Sequence, residues 1–186
     1  MKSLLLSFIF LCFVSLSFAQ DSPPPAQELL TAAYQRAEKE NKNVMVIFHA
    51  SWCGWCRKME AAINDDDCKK LFNNNYVIVY LTVEESKDKK DLENPGADVI
   101  KKKYLGEKAG LPFWLILDKN GNMLGDSYIR KAGVAKTEPG ENVGCPASEK
   151  EVEVFIDLLR KSSSLSEKQL EKIAKRFLKN KPASAN

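Results

Sequence analysis

The sequence holds a single histidine, His49, and five cysteines, of which only two form a C-x-x-C pair. Tetrahedral zinc wants four ligands, so one histidine and no second C-x-x-C argue against a structural zinc site. There is no glycine-rich phosphate loop, no dinucleotide fingerprint and no metal-ligand cluster, and no bound cofactor is expected. No internal repeat is present. Charge of either sign is also nearly balanced, with 28 basic and 25 acidic residues interleaved along the chain. That balance excludes a general nucleic-acid binder.

Long apolar runs are missing except at the start. Met1-Lys2 supplies a positive charge, and Leu4 to Phe18 is apolar apart from Ser7, Ser15 and Ser17. Ser17-Phe18-Ala19 presents small residues where a signal peptidase reads, so residues 1–19 are expected to be a signal peptide cleaved before Gln20. A run of about 15 residues is short for a span of roughly 20. The expectation is therefore export, to the periplasm or beyond, without stable membrane insertion after cleavage. Lys2 leaves with the signal, so 27 basic residues face 25 acidic ones in the remainder, with Cys53, Cys56, Cys68 and Cys145. The ~167 residues left fit one domain that needs no disulfide scaffold.

Residues 20–25 read as a proline-rich linker, 26–160 as the domain, and 161–186 as an added C-terminal helix and tail. Leu29, Leu30, Ala33, Tyr34 and Ala37 recur at helical spacing up to Glu40. Val44 to Phe48 is a continuous apolar run, as suits a central strand covered on both faces. A helix follows from Arg57 to Ile63, then a short one with Cys68, Leu71 and Phe72 inward, then a strand from Tyr76 to Val83. Glu84 to Pro95 is charged and reads as a surface excursion, and Val99 to Leu105 as a short helix. Phe113–Leu117 and Met123–Ile129 flank the hairpin turn at Asn120-Gly121. After a long loop, Ser148-x-x-Glu151 and Ser166-x-x-Gln169 each open a helix with a capping-box pattern. The order predicts an α/β fold.

Trp52-Cys53-Gly54-Trp55-Cys56 stands where the central strand runs into a helix. A thiolate, not a thiol, attacks a disulfide, and the free N–H groups of a helix's first turn stabilise it. Cys56 lies one turn on and on the same face, placed to resolve the mixed disulfide that Cys53 forms. A structural disulfide here would close a tiny loop and stabilise little.

Phe48 to Lys58, with Gly110-Leu111-Pro112, resembles the active-site segments of the thioredoxin family, and specifically its exported bacterial branch. The resemblance covers roughly residues 26–160. It implies a thioredoxin-like fold, with a central mixed sheet, helices on both faces and here an extra C-terminal helix. It also implies a thiol–disulfide oxidoreductase acting on protein disulfides or thiols, with Cys53 and Cys56 catalytic. By resemblance Pro112 is cis and Leu111 offers its backbone to an extended substrate. Trp52, Gly54, Trp55, Gly144 and Cys145 are the other expected substrate contacts. A reductase of this kind would draw electrons from a membrane-bound thiol donor, and a monomer is expected.

Two departures stand out. Thioredoxins usually carry a buried aspartate six residues before the first cysteine, and here that position is Ile47. The dipeptide between the cysteines is Gly54-Trp55 rather than Gly-Pro, and nothing in it adds charge to favour an acidic thiolate. His49 is a candidate modulator, either adding positive charge near Cys53 or simply packed. Cys68 reads as a small buried hydrophobe. Cys145 either lines the substrate groove and exchanges with the pair, or is packed under Pro146. Two further readings stay open: a non-catalytic binding module on the same scaffold, and a reductase for one client, such as in cytochrome maturation.

Overall fold

The computed structural model describes residues 22–182; the expected signal peptide and the last four residues lie outside them. Among the described residues no helix is long and apolar enough to cross a membrane. The chain opens with α1 (Ala26–Glu40), which buries Leu30, Ala33 and Ala37 and ends on left-handed Asn41. Then follow β1 (Asn43–His49), α2 (Gly54–Ile63), α3 (Lys69–Asn75), β2 (Tyr76–Thr82) and α4 (Ala97–Lys103). Next come β3 (Phe113–Leu117), β4 (Met123–Asp126), the short β5 (Tyr128–Ile129) and β6 (Glu141–Asn142), then α5 (Glu149–Ser162) and α6 (Glu167–Leu178).

The main sheet has the order β2-β1-β3-β4. β1 runs parallel to β2, with Ile47 beside Tyr80, and antiparallel to β3, with Ile47 opposite Trp114. Because side chains alternate across a strand, β1 serves two cores. Met45 and Ile47 join Met59, Trp114, Phe155 and Phe177 on one face; Val44, Val46 and Phe48 join Leu30, Phe113 and Leu115 on the other. This explains the unbroken apolar run of β1: helices cover both sides. The mixed sheet, flanking helices and extra C-terminal helix are those of the expected thioredoxin-like fold.

α6 belongs to the same core, through Leu170, Ile173 and Phe177. Phe177 packs on Phe155 with ring centres 4.9 Å apart. Both predicted capping boxes are formed, at Ser148/Glu151 and Ser166/Gln169.

Three expectations need correction. The return strand is not continuous from Met123 to Ile129. It ends at Asp126, whose carboxylate accepts the Tyr128 N–H at 3.1 Å, and Tyr128–Ile129 pairs instead with Glu141–Asn142. Nor is Glu84–Pro95 purely a surface excursion, because Glu85 and Asn94 are buried and bond to backbone groups. α4 begins at Ala97, with Ala97 and Lys101 inward, whereas Val99 is 65% exposed.

Candidate active site

β1 ends at His49, and a turn carries the chain into α2, with the Cys53 N–H donating to Ala50 O at 3.0 Å. Cys53 is the N-cap of α2, and Cys56 is one turn inside it. The two are joined as a disulfide, with Cα atoms 5.3 Å apart, and the Cys56 N–H points at Cys53 Sγ from 3.1 Å. That N–H and the positive end of the helix stabilise a thiolate on Cys53 once the bond is opened. The first turn of α2 carries no acidic side chain to oppose this.

Two tryptophans flank the pair. Trp52 is 56% and Trp55 40% exposed. The Trp52 indole donates to Glu84 O at 2.8 Å, and the Lys58 ammonium sits 4.2 Å from the centre of the Trp55 ring. Gly54 is the first helical residue between them.

The opposite wall is the Leu111-Pro112 segment, whose peptide bond is cis. Leu111 packs against Cys53 and Cys56. Asn142 organises this wall: its Nδ2 donates to Gly110 O at 2.7 Å, and its Oδ1 accepts from Ser127 Oγ at 2.7 Å. Gly144 adopts φ +62°, a conformation that suits glycine, and its carbonyl accepts from the Trp114 indole at 2.8 Å. A groove of about 290 Å³ runs between these parts, lined by Trp55, Leu111, Asn142, Gly144, Cys145 and Glu151 among others.

His49 is partly buried, its Nε2 3.2 Å from Thr82 Oγ1 and its ring 5.6 Å from that of Tyr80. Burial pulls its pKa below the usual histidine value, so the imidazole is neutral at pH 7. Ile47 is packed against the α2 side of the sheet, with no acid at its position.

The two spare cysteines are free thiols and both are buried. Burial pushes Cys68 up to about 11 and Cys145 up to about 12. Cys145 borders the groove and is buried to the same degree as Cys53, at 4% against 3% exposed, so it differs from the pair by its surroundings and not by its exposure. Asn180, just beyond α6, covers it and donates to its sulfur at 3.3 Å. At pH 8 such thiols hold at least about a hundredfold less thiolate than a free cysteine. In the reduced, folded protein alkylation is therefore expected at the 53/56 pair, with two more thiols appearing only in denaturant. Mass spectrometry reads this directly, and native labelling of Cys145 as fast as Cys53 would return it to the exchange chemistry.

Glu84, Glu85, Asn142 and Asn180 were not singled out from the sequence. The signal available for the first two was position: β2 runs parallel beside β1, so its C-terminal end lies next to the turn that carries the pair. Nothing local marks Asn142 or Asn180, which act across long sequence separations.

No curated protein matches the chain. Among solved structures it is similar to a disulphide isomerase from Xylella fastidiosa Temecula1, at 17% identity over 60% of this chain and 80% of that one, with a TM-score of 0.47. It is similar to the C-terminal domain of DsbD from Neisseria meningitidis in the oxidised form, at 16% identity over 74% of this chain and 98% of that one, with a TM-score of 0.43. It is also similar to a thioredoxin from Thermus thermophilus, at 19% identity over 75% of this chain and 87% of that one, with a TM-score of 0.42. The sequence profile described as thioredoxin-like matches residues 26–119, from the start of α1 through β3. That match takes in the strand, the cysteine pair and the cis-proline together, and the chain belongs to the thioredoxin-like family, with Cys53–Cys56 as the disulfide pair of its oxidoreductase fold.

Proposed function

We propose that this chain is an exported reductase of protein disulfides. The observation that carries the reading is the pair itself: Cys53 caps α2, receives the Cys56 N–H on its sulfur, and packs against Leu111 of the cis Leu111-Pro112 segment. Starting from the dithiol, the Cys53 thiolate attacks one sulfur of a substrate disulfide, and the departing sulfur takes up a proton. The Cys56 thiolate then attacks Cys53 Sγ in the mixed disulfide, and the second substrate sulfur leaves and is protonated. Two electrons and two protons have passed to the substrate, and the enzyme holds the Cys53–Cys56 disulfide. A dithiol donor outside this chain must reduce it again.

Around the pair, Leu111 offers backbone groups to an extended peptide, Pro112 closes the approach to the sulfurs, and Trp52, Gly54, Trp55 and Gly144 frame it. Neither the N–H nor the C=O of Leu111 is engaged among the described residues, which supports that role. Export rests on the apolar start of the sequence; secreted protein should begin at Gln20, which N-terminal sequencing checks.

The direction of exchange is tested by equilibrating the mature protein with glutathione and following tryptophan fluorescence, since Trp52 and Trp55 flank the pair. A potential near that of thioredoxin, about −270 mV, is expected. A value near −120 mV would make the protein an oxidant, and a pair that never cycles would leave only a binding module.

A further inference from the structure

The turn that follows β2 closes on the residues just ahead of Cys53. Glu85 is only 4% exposed, and its two carboxylate oxygens accept both polar hydrogens of Ser51, the N–H at 2.5 Å and the hydroxyl at 2.7 Å. The Glu85 N–H is held in turn by Glu93 Oε1 at 2.7 Å. Ser51 is a central residue of the Ala50–Cys53 turn, whose ends lie within about 7 Å of each other. The Glu85 carboxylate is thus fixed against the turn that presents Cys53.

An uncharged amide could accept the Ser51 N–H as well. A carboxylate adds a negative charge in a poorly solvated place, beside a sulfur that must become a thiolate. We propose that Glu85 is a positioning residue that holds the Ser51–Trp52 turn and, by its charge, disfavours a thiolate on Cys53, biasing the pair toward giving electrons away. The reduced pair carries the thiolate and the disulfide carries no charge, so a nearby anion raises the free energy of the reduced form and lowers the potential. Glu85 thereby offsets part of the stabilisation that the α2 N-terminus supplies.

The other charges facing the turn do not cancel this effect. Arg57, from α2, donates to Ser51 O at 2.8 Å but is exposed and screened by solvent. Glu84 is bound to the buried Lys101 at 2.6 Å, and Glu93 to Lys90 at 2.7 Å, so each is already compensated. Glu60, exposed on α2, has the same sign as Glu85. His49, on β1, is neutral at pH 7 for the reason given above.

The inference rests on the reductase reading and deepens it. Its test is Glu85→Gln in the mature protein, which keeps the shape and an acceptor for the Ser51 N–H. At a fixed glutathione ratio the variant is expected to shift the equilibrium about 3- to 10-fold toward the dithiol. The pH profile of Cys53 alkylation moves to lower pH with it. If the role were only structural, glutamine would rescue it, and an unchanged equilibrium with an unchanged pH profile overturns the proposal. Should the variant fail to fold, the alkylation profile of the unmodified protein decides. Half-ionisation of Cys53 at or above about pH 6.5 sustains the proposal, since thioredoxin itself lies near 7, and a lower value overturns it. The reductase reading stands on the potential of the unmodified protein, whereas this proposal stands on the difference between the two proteins. The two failures are therefore read separately.

Discussion

Replacing Cys56 by serine is expected to stop turnover at its first covalent step. Cys53 retains its place at the start of α2 and still attacks a substrate disulfide, but no second sulfur stands one turn away to release it. The mixed disulfide accumulates and is visible as a reducible adduct on a non-reducing gel. Escape requires an external thiol, so the steady-state rate falls by at least about a thousandfold, comparable to removal of other covalent-catalysis partners. Cys53→Ser gives an equally inactive protein with no adduct, because the attacking sulfur is gone. The contrast between the variants assigns the two sulfurs their order. If Cys56→Ser instead gave no adduct while Cys53→Ser did, the roles would be reversed.

Arg130→Met is expected to have the largest effect on stability away from the redox pair. Asp126 is almost fully buried, and both its oxygens are held by the Arg130 guanidinium, at 2.8 and 2.6 Å. Arg130 also donates to Glu138 O at 2.6 Å, so it ties down the loop between β5 and β6. Removing the cation leaves a buried carboxylate without its partner, which costs about 3–5 kcal/mol. For a chain of this size that corresponds to a fall in Tm of about 10 °C. The double variant Asp126→Asn, Arg130→Met removes both charges and is expected to recover much of the loss. Thermal unfolding of the three proteins checks this, and a single variant as stable as the parent would show that water reaches Asp126 freely.

Much of this architecture was legible because it is local. The helical spacing of Leu30, Ala33 and Ala37, the apolar run of β1 and the two capping boxes each express a preference of a few adjoining residues. The redox pair was legible for the same reason: two cysteines three apart at a strand-to-helix junction face one way whatever surrounds them. The break after β4 was not legible, because Met123 to Ile129 has strand-like composition throughout. What ends it is the Asp126 carboxylate turning back onto the Tyr128 N–H and binding Arg130.

Glu84 and Glu85 show the same limit most clearly. In a segment with several charged neighbours they read as solvated, and only the neighbouring end of β1 makes a buried site for one of them. Likewise, nothing near Asn180 announces that it covers Cys145, 35 residues away in sequence. Most of the helices and strands, and the setting of Cys53 and Cys56 one helical turn apart, follow from periodicity and short-range geometry and could be read along the chain. Which charges lose their water, how Cys145 is covered and what stands beside the reactive sulfur came from the packing of the whole chain, because desolvation and hydrogen bonding depend on groups brought together from distant parts of it.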